Sequence, residues 1–484
     1  MNRRLTLVLL AVAALMGSTT WWARSHVGDA PPTSTTAAVT TTTEAPLRGT
    51  PGAPGLGDPY YPTLGNGGYD VQHYTLDLTW RADESALDGV TTIQATATQD
   101  LSRFDLDLSG MHVRSVTVDG RSASFTRADR ELVITPASTI ANGHDFTTIV
   151  SYTGRPQPIS VGTKLFEVGW QTHGREAFVI SEPAGAETFY PVNDHPTDKA
   201  TYTFRITAPS DEVAAANGLL MGTDDLGHGT TGWTYEAHDP MASYLVQIAI
   251  GDFALVDAGT VDGVVVRNVF HRNLAAQAKV TTERTADMIR VLAGVYGPFP
   301  FEAYGVLVVD EGLGLSLETQ TLIVIGSDLA AAGRSADQIL VHELAHQWVG
   351  DAVSVATWKD IWLNEGFATY AEWLYAERTG GPTAAASARQ YAGGGSQFDA
   401  PPGDPGPAEL FGPSVYIRGG MTLQALRERI GDTDFFRLLR GWVEAHRNGS
   451  ASTADFEALA EKVSGADLSA FFQQWLYADR VPAL

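Results

Sequence analysis

One segment limits what this chain can become more than any other: SADQILVHELAHQWVGD, from Ser335 to Asp351. Ser335 with Gln338 three residues on is a capping box that starts a helix, and Gly350 is a helix stop. Ile339, Leu340, Leu344, Trp348 and Val349 give that helix a packing surface. His342 and His346 stand four residues apart, so their imidazoles leave one face at adjacent turns. Two neutral ring nitrogens at that spacing reach a single ion about 2.0–2.1 Å from each. Glu343 follows the first histidine, which sets a carboxylate beside the ion as a base for the water it activates. The chain has no cysteine, so any metal is held by His, Asp and Glu.

A third ligand lies further along. Trp358 to Gly381, WKDIWLNEGFATYAEWLYAERTGG, reads as a second helix bounded by Asp360 and a Gly-Gly stop. Glu365 comes 19 residues after His346, enough chain to fold this helix back and aim the carboxylate at the metal. Two histidines and one glutamate leave a fourth position for water, the mark of a catalytic zinc site. The expectation is therefore one Zn2+ per chain. Asp351, Asp360 and Asn364 are candidates to orient the histidines, with capping or surface roles equally open.

The rest of the chain sets the frame. Acids number 56 against 32 lysines and arginines, a net charge of −24, which argues against nucleic-acid binding. Residues 1–26 read as a signal peptide or membrane anchor, with Arg3 and Arg4 before the apolar run Leu5 to Gly17. That predicts a secreted or extracytoplasmic protein, tied to a membrane only if this segment is retained. Residues 27–58, rich in Pro and Thr, read as a disordered tether. Residues 59–255 read as a β domain: Tyr69 to Trp80 alternates Val71, His73 and Thr75 against Tyr74, Leu76 and Leu78. From 256 to 484 the pattern turns helical, with a helix from Leu274 to Gly297 and a strand from Tyr304 to Asp310. The fold class is α+β and multidomain.

HELAHQWVGD followed by WLNEGFATYAE resembles the zinc aminopeptidases of the aminopeptidase N and leukotriene hydrolase type, a gluzincin family. The resemblance covers roughly residues 60 to 484 and implies a β-saddle domain followed by a thermolysin-like catalytic domain. It also implies further site residues. GLGLSLETQT (Gly312 to Thr321) is similar to the family's G-x-M-E-N strand, so Glu318 would grip the substrate's α-amino group, although Leu315, Leu317 and Thr319 depart from the motif. In ISEPAGAETFYP, Glu182 falls where an acid or amide joins that grip, and Glu187 stands where the family often has Arg. SVYIRGGMTLQ resembles the family's Tyr-x-Lys-Gly helix start, so Tyr416 would stabilise the oxyanion, while Arg418 reads as a surface charge. The resemblance ends near Leu484, without the C-terminal helical domain of longer members, which predicts a more open cleft. The function implied is hydrolysis of the N-terminal bond of peptides with a free amine. The alternatives are an endopeptidase on the same zinc core and a non-catalytic surface-binding protein.

Overall fold

The computed structural model describes residues 48–162, 166–392 and 395–484. The predicted leader, and the tether as far as residue 47, lie outside the described residues.

Apolar alternation builds the first layer. In the strand Tyr69–Arg81, Val71, Tyr74, Leu76, Leu78 and Trp80 are all buried. Simple alternation would send Val71 to the face opposite Tyr74. A bulge in the pairing with Ala86–Ala97, between Val71 and His73, turns it inward instead. These two strands lie within an eight-stranded sheet whose other long members are Thr230–Met241, Ala200–Pro209 and Asp145–Gly154. Two four-stranded sheets complete the β module, one around Leu101–Asp107 and Glu131–Thr135, the other around Glu176–Ile180 and Ile248–Gly251.

Strand pairing changes at Asp252. Ile248–Gly251 belongs to the small sheet, whereas Phe253–Val261 opens a mixed sheet with Val264–His271, Val306–Val308, Ile323–Ile325 and the edge strand Ser316–Leu317. Helices dominate from there. The single helix expected over Leu274 to Gly297 is two, Ala275–Thr281 and Thr285–Tyr296. At the break, the hydroxyls of Thr282 and Thr285 bond the carbonyls of Ala278 and Thr282, which competes with helix continuation. One hydrophobic core runs through sheets and helices together.

The expected tether is ordered at its end. Thr50–Pro51 pairs in parallel with Leu101–Asp107, and buried Asp58 accepts the backbone N–H groups of Tyr60, Tyr61 and Trp358. Hydrogen bonds from amides to a carboxylate are stronger than neutral ones, and three of them tie the chain here. No helix among the described residues is long and apolar enough to cross a membrane.

Candidate active site

The helix carrying both histidines runs from Asp337 to His346. The expected capping box is not formed: a 3-10 turn, Gly333–Ala336, feeds directly into the helix, and Gln338 bonds Glu372 instead. Leu340, Val341, Leu344 and Ala345 bury the opposite face. The second helix, Trp362–Arg378, packs across it and delivers Glu365 from its first turn.

Three ligand atoms converge. Nε2 of His342 lies 3.1 Å from Oε2 of Glu365, and Nε2 of His346 lies 3.5 Å from the same oxygen. An ion held tetrahedrally 2.0–2.1 Å from each ligand would set its donors about 3.3 Å apart. The other ring nitrogens are committed elsewhere. Nδ1 of His346 faces the carbonyl of Val349 at 3.1 Å, and Nδ1 of His342 faces Oε1 of Glu372 at 2.7 Å. Neither partner donates, so each imidazole carries its hydrogen on Nδ1 and presents a lone pair at Nε2. Two nitrogens and one anionic oxygen, without sulfur, fit zinc.

Around this set lies a cavity of about 300 Å³, lined by Glu182, Glu318, Glu343, Tyr416 and the three ligands, together with Phe166, Leu315, Leu317, Ile339 and Phe411. Every sequence-predicted site residue is on its wall. Glu343 accepts a 2.5 Å hydrogen bond from the Ser316 hydroxyl, and burial raises its carboxyl. The Tyr416 ring stacks on His342 with centroids 5.8 Å apart. Burial and the carboxylates of Glu365 and Glu182 push its hydroxyl well above the usual phenol range, so it remains a donor. Glu182 and Glu318 are each 3% exposed, and Oε1 of each has no hydrogen-bond partner. Burial raises both; it carries Glu318 up to about 7 and, with Glu318 alongside, Glu182 well above the carboxylate range.

Other expectations need correcting. Asp351, Asp360 and Asn364 do not orient the histidines. Asp360 bonds Thr357 and Thr453, Asp351 bonds Gln347, and Asn364 reaches the Tyr244 hydroxyl. Sequence reasoning missed Ser316, which bonds Glu343, and Glu372, seven positions after Glu365 and therefore on the same helix face two turns on. Arg418 is not a surface charge. It is fully buried in the turn Ser414–Arg418 and donates to the carbonyls of Trp475, Asp399 and Ala478. Glu187 is buried too, paired with Arg130, whose Nε lies 2.6 Å away. Glu187 is thus the buried, negative member of a pair whose arginine is partly exposed.

Residues 70–245 match the Peptidase M1 N-terminal domain and residues 299–475 the Peptidase family M1 domain. The crystal structure of an M1 zinc metallopeptidase from Deinococcus radiodurans superimposes with a TM-score of 0.83 at 34% identity, over 89% of this chain and 98% of that one. Aminopeptidase N of Lactococcus lactis subsp. lactis is 25% identical over 85% of this chain, and Aminopeptidase M1 of Arabidopsis thaliana 26% identical over 61%. Those matches span 51% and 36% of the relatives' own lengths. The chain belongs to peptidase family M1, a family of zinc metallopeptidases, and carries that family's N-terminal β domain followed by its catalytic domain.

Proposed function

We propose that this chain is a zinc aminopeptidase that removes the N-terminal residue of peptides. His342, His346 and Glu365 hold one zinc ion. Bound there, zinc supplies Lewis acidity and brings the pKa of water towards neutrality. Glu343, held by Ser316, takes the proton of the attacking water and passes it to the leaving amine. Tyr416, protonated across the working range, donates to the oxyanion that develops at the scissile carbonyl. Glu318 and Glu182 hold the peptide's ammonium.

The observation that carries this reading is the pair Glu182 and Glu318. One oxygen from each lies within 4.8 Å of the other and of Glu365, and both residues have a buried oxygen without a partner. Burying unpaired carboxylates is costly unless a cation completes the site. An α-ammonium is a cation of the right size, and its placement beside Glu365 puts the first carbonyl at the metal. A point mutant of the Deinococcus radiodurans relative has been solved with a Tyr-Ser-Ala substrate.

The test compares an aminoacyl anilide with its N-acetylated form on the zinc-loaded protein. The free amine should be cleaved faster by on the order of 10²-fold, because acetylation leaves both carboxylates unpaired. Equal rates would show an endopeptidase. Glu343→Gln should retain zinc and lose turnover; full activity in that variant would refute the role given to Glu343.

A further inference from the structure

Gln347 follows the second histidine of the metal set, but its side chain neither bonds a histidine nor lines the cavity. It is wholly buried, and its amide is committed at both ends. Oε1 accepts the backbone N–H of Thr321 at 2.8 Å. Nε2 donates to the backbone carbonyl of Glu318 at 2.9 Å and to Oδ2 of Asp351 at 2.7 Å. The amide therefore grips both ends of the segment 318–321.

That segment needs gripping. It leaves the edge strand Ser316–Leu317 and reverses at Thr321, whose φ of +64° lies in the left-handed region that a β-branched residue disfavours. Its far side is tied to the β module. Asn217 donates to the carbonyl of Gln320 at 2.6 Å, and the N–H of Gly218 donates to the Thr321 hydroxyl at 2.8 Å. Its near side is tied to the metal helix by Gln347. Asp351 is steadied in turn, since Lys199 of the β module donates to its backbone carbonyl at 2.6 Å. One oxygen of the Glu318 carboxylate has no hydrogen-bond partner, so the backbone that carries the group bears on where it sits.

We propose that Gln347 is a positioning residue: it ties the backbone of Glu318 to the helix that bears His342 and His346, and so sets the distance between the substrate's ammonium and its scissile carbonyl. The proposal rests on Glu318 being an amine grip. Without the Gln347 amide, a buried carbonyl and a buried N–H lose their partners and the segment is free to shift away from the metal helix. A displacement of about 1 Å is enough to spoil such a spacing.

The experiment uses zinc-loaded full chain and two inhibitors, an α-amino acid hydroxamate and its des-amino analogue. Both bind through the hydroxamate, and only the first engages the amine grip. Wild type should prefer the amino form. In Gln347→Met that preference should fall about tenfold, with zinc content and affinity for the des-amino form unchanged. Gln347→Leu loses acceptor and donors alike, and should show the same selective loss. A variant that keeps the wild-type preference overturns the proposal. So does a variant that weakens on both inhibitors equally or no longer binds zinc, because the assigned role leaves the metal set intact. A wild-type protein with no amine preference overturns the aminopeptidase reading itself.

Discussion

A ligating histidine is defined by the partner of its second nitrogen, and here the two differ. His346 is oriented by the Val349 carbonyl of its own helix end, which any residue at position 349 would supply. His342 depends on one side chain, Glu372, contributed by the helix packed against its own. Glu372→Ala should therefore lower zinc affinity by about 10- to 100-fold, read by competition with a chelator, while an excess of zinc recovers much of the activity. Unchanged affinity would mean that packing alone holds the ring. The contrast also shows what could be read in advance. His342, Glu343, His346 and Glu365 are legible because their spacing carries the chemistry within one or two helices. Glu372 has an equally regular spacing, but its meaning depends on which helix faces it. Asp351, Asp360 and Asn364 lie nearer in sequence to the histidines and are engaged elsewhere.

Between the two helices that carry Glu365 and follow Tyr416, the backbones meet at a pair of glycines. A Cβ on Gly419 would lie 2.8 Å from the Cα of Gly366, and a Cβ on Gly366 equally close to the Cα of Gly419. The ligand helix Trp362–Arg378 thus meets the start of Gly419–Ile430 backbone to backbone. This contact places the preceding turn, and with it Tyr416, over His342. Gly419→Ala should cost about 1–3 kcal/mol of unfolding free energy through overpacking. It should also lower kcat with zinc content unchanged, since the turn that presents Tyr416 is pushed outward. Gly441, in the helix Asp432–His446, has no atom within 4 Å of its Cβ position. Gly441→Ala should be neutral or slightly stabilising in the same denaturation series. Equal costs for the two substitutions would refute the close-approach argument. The paired helices could be foreseen from apolar periodicity, but the seam could not. Gly366 after Glu365 and the Gly-Gly after Arg418 give no sign of touching until the two helices are placed against each other.

At the scale of the whole molecule, the excess of acid extends inward. The net charge is −24, and Asp107, Glu187, Asp194 and Asp198 of the β module are buried. Burial is the first cause that raises each of them, carrying Asp198 up to about 7 and Glu187 to about 8. Asp198 is a joint of this module: it accepts the N–H of Val71 at 3.0 Å and bonds Asn193, which in turn bonds the backbone of Asn66. Its folded value lies above its unfolded value of about 3.8. The stability it contributes is therefore fully present below about pH 4 and is lost as pH rises through 7, since the unfolded chain releases the proton first. The slope approaches about 1.4 kcal/mol per pH unit within that window and vanishes outside it. Asp198→Asn should carry a constant penalty, because its amide meets the Asn193 amide, but it should lack this slope. The measurement is the wild-type minus variant difference in unfolding free energy from pH 4 to 8, in which zinc release and every other titrating group cancel. The difference should fall with rising pH and level off above 7. A flat difference would mean that Asp198 is ionised in the folded protein, with its amide donors offsetting burial.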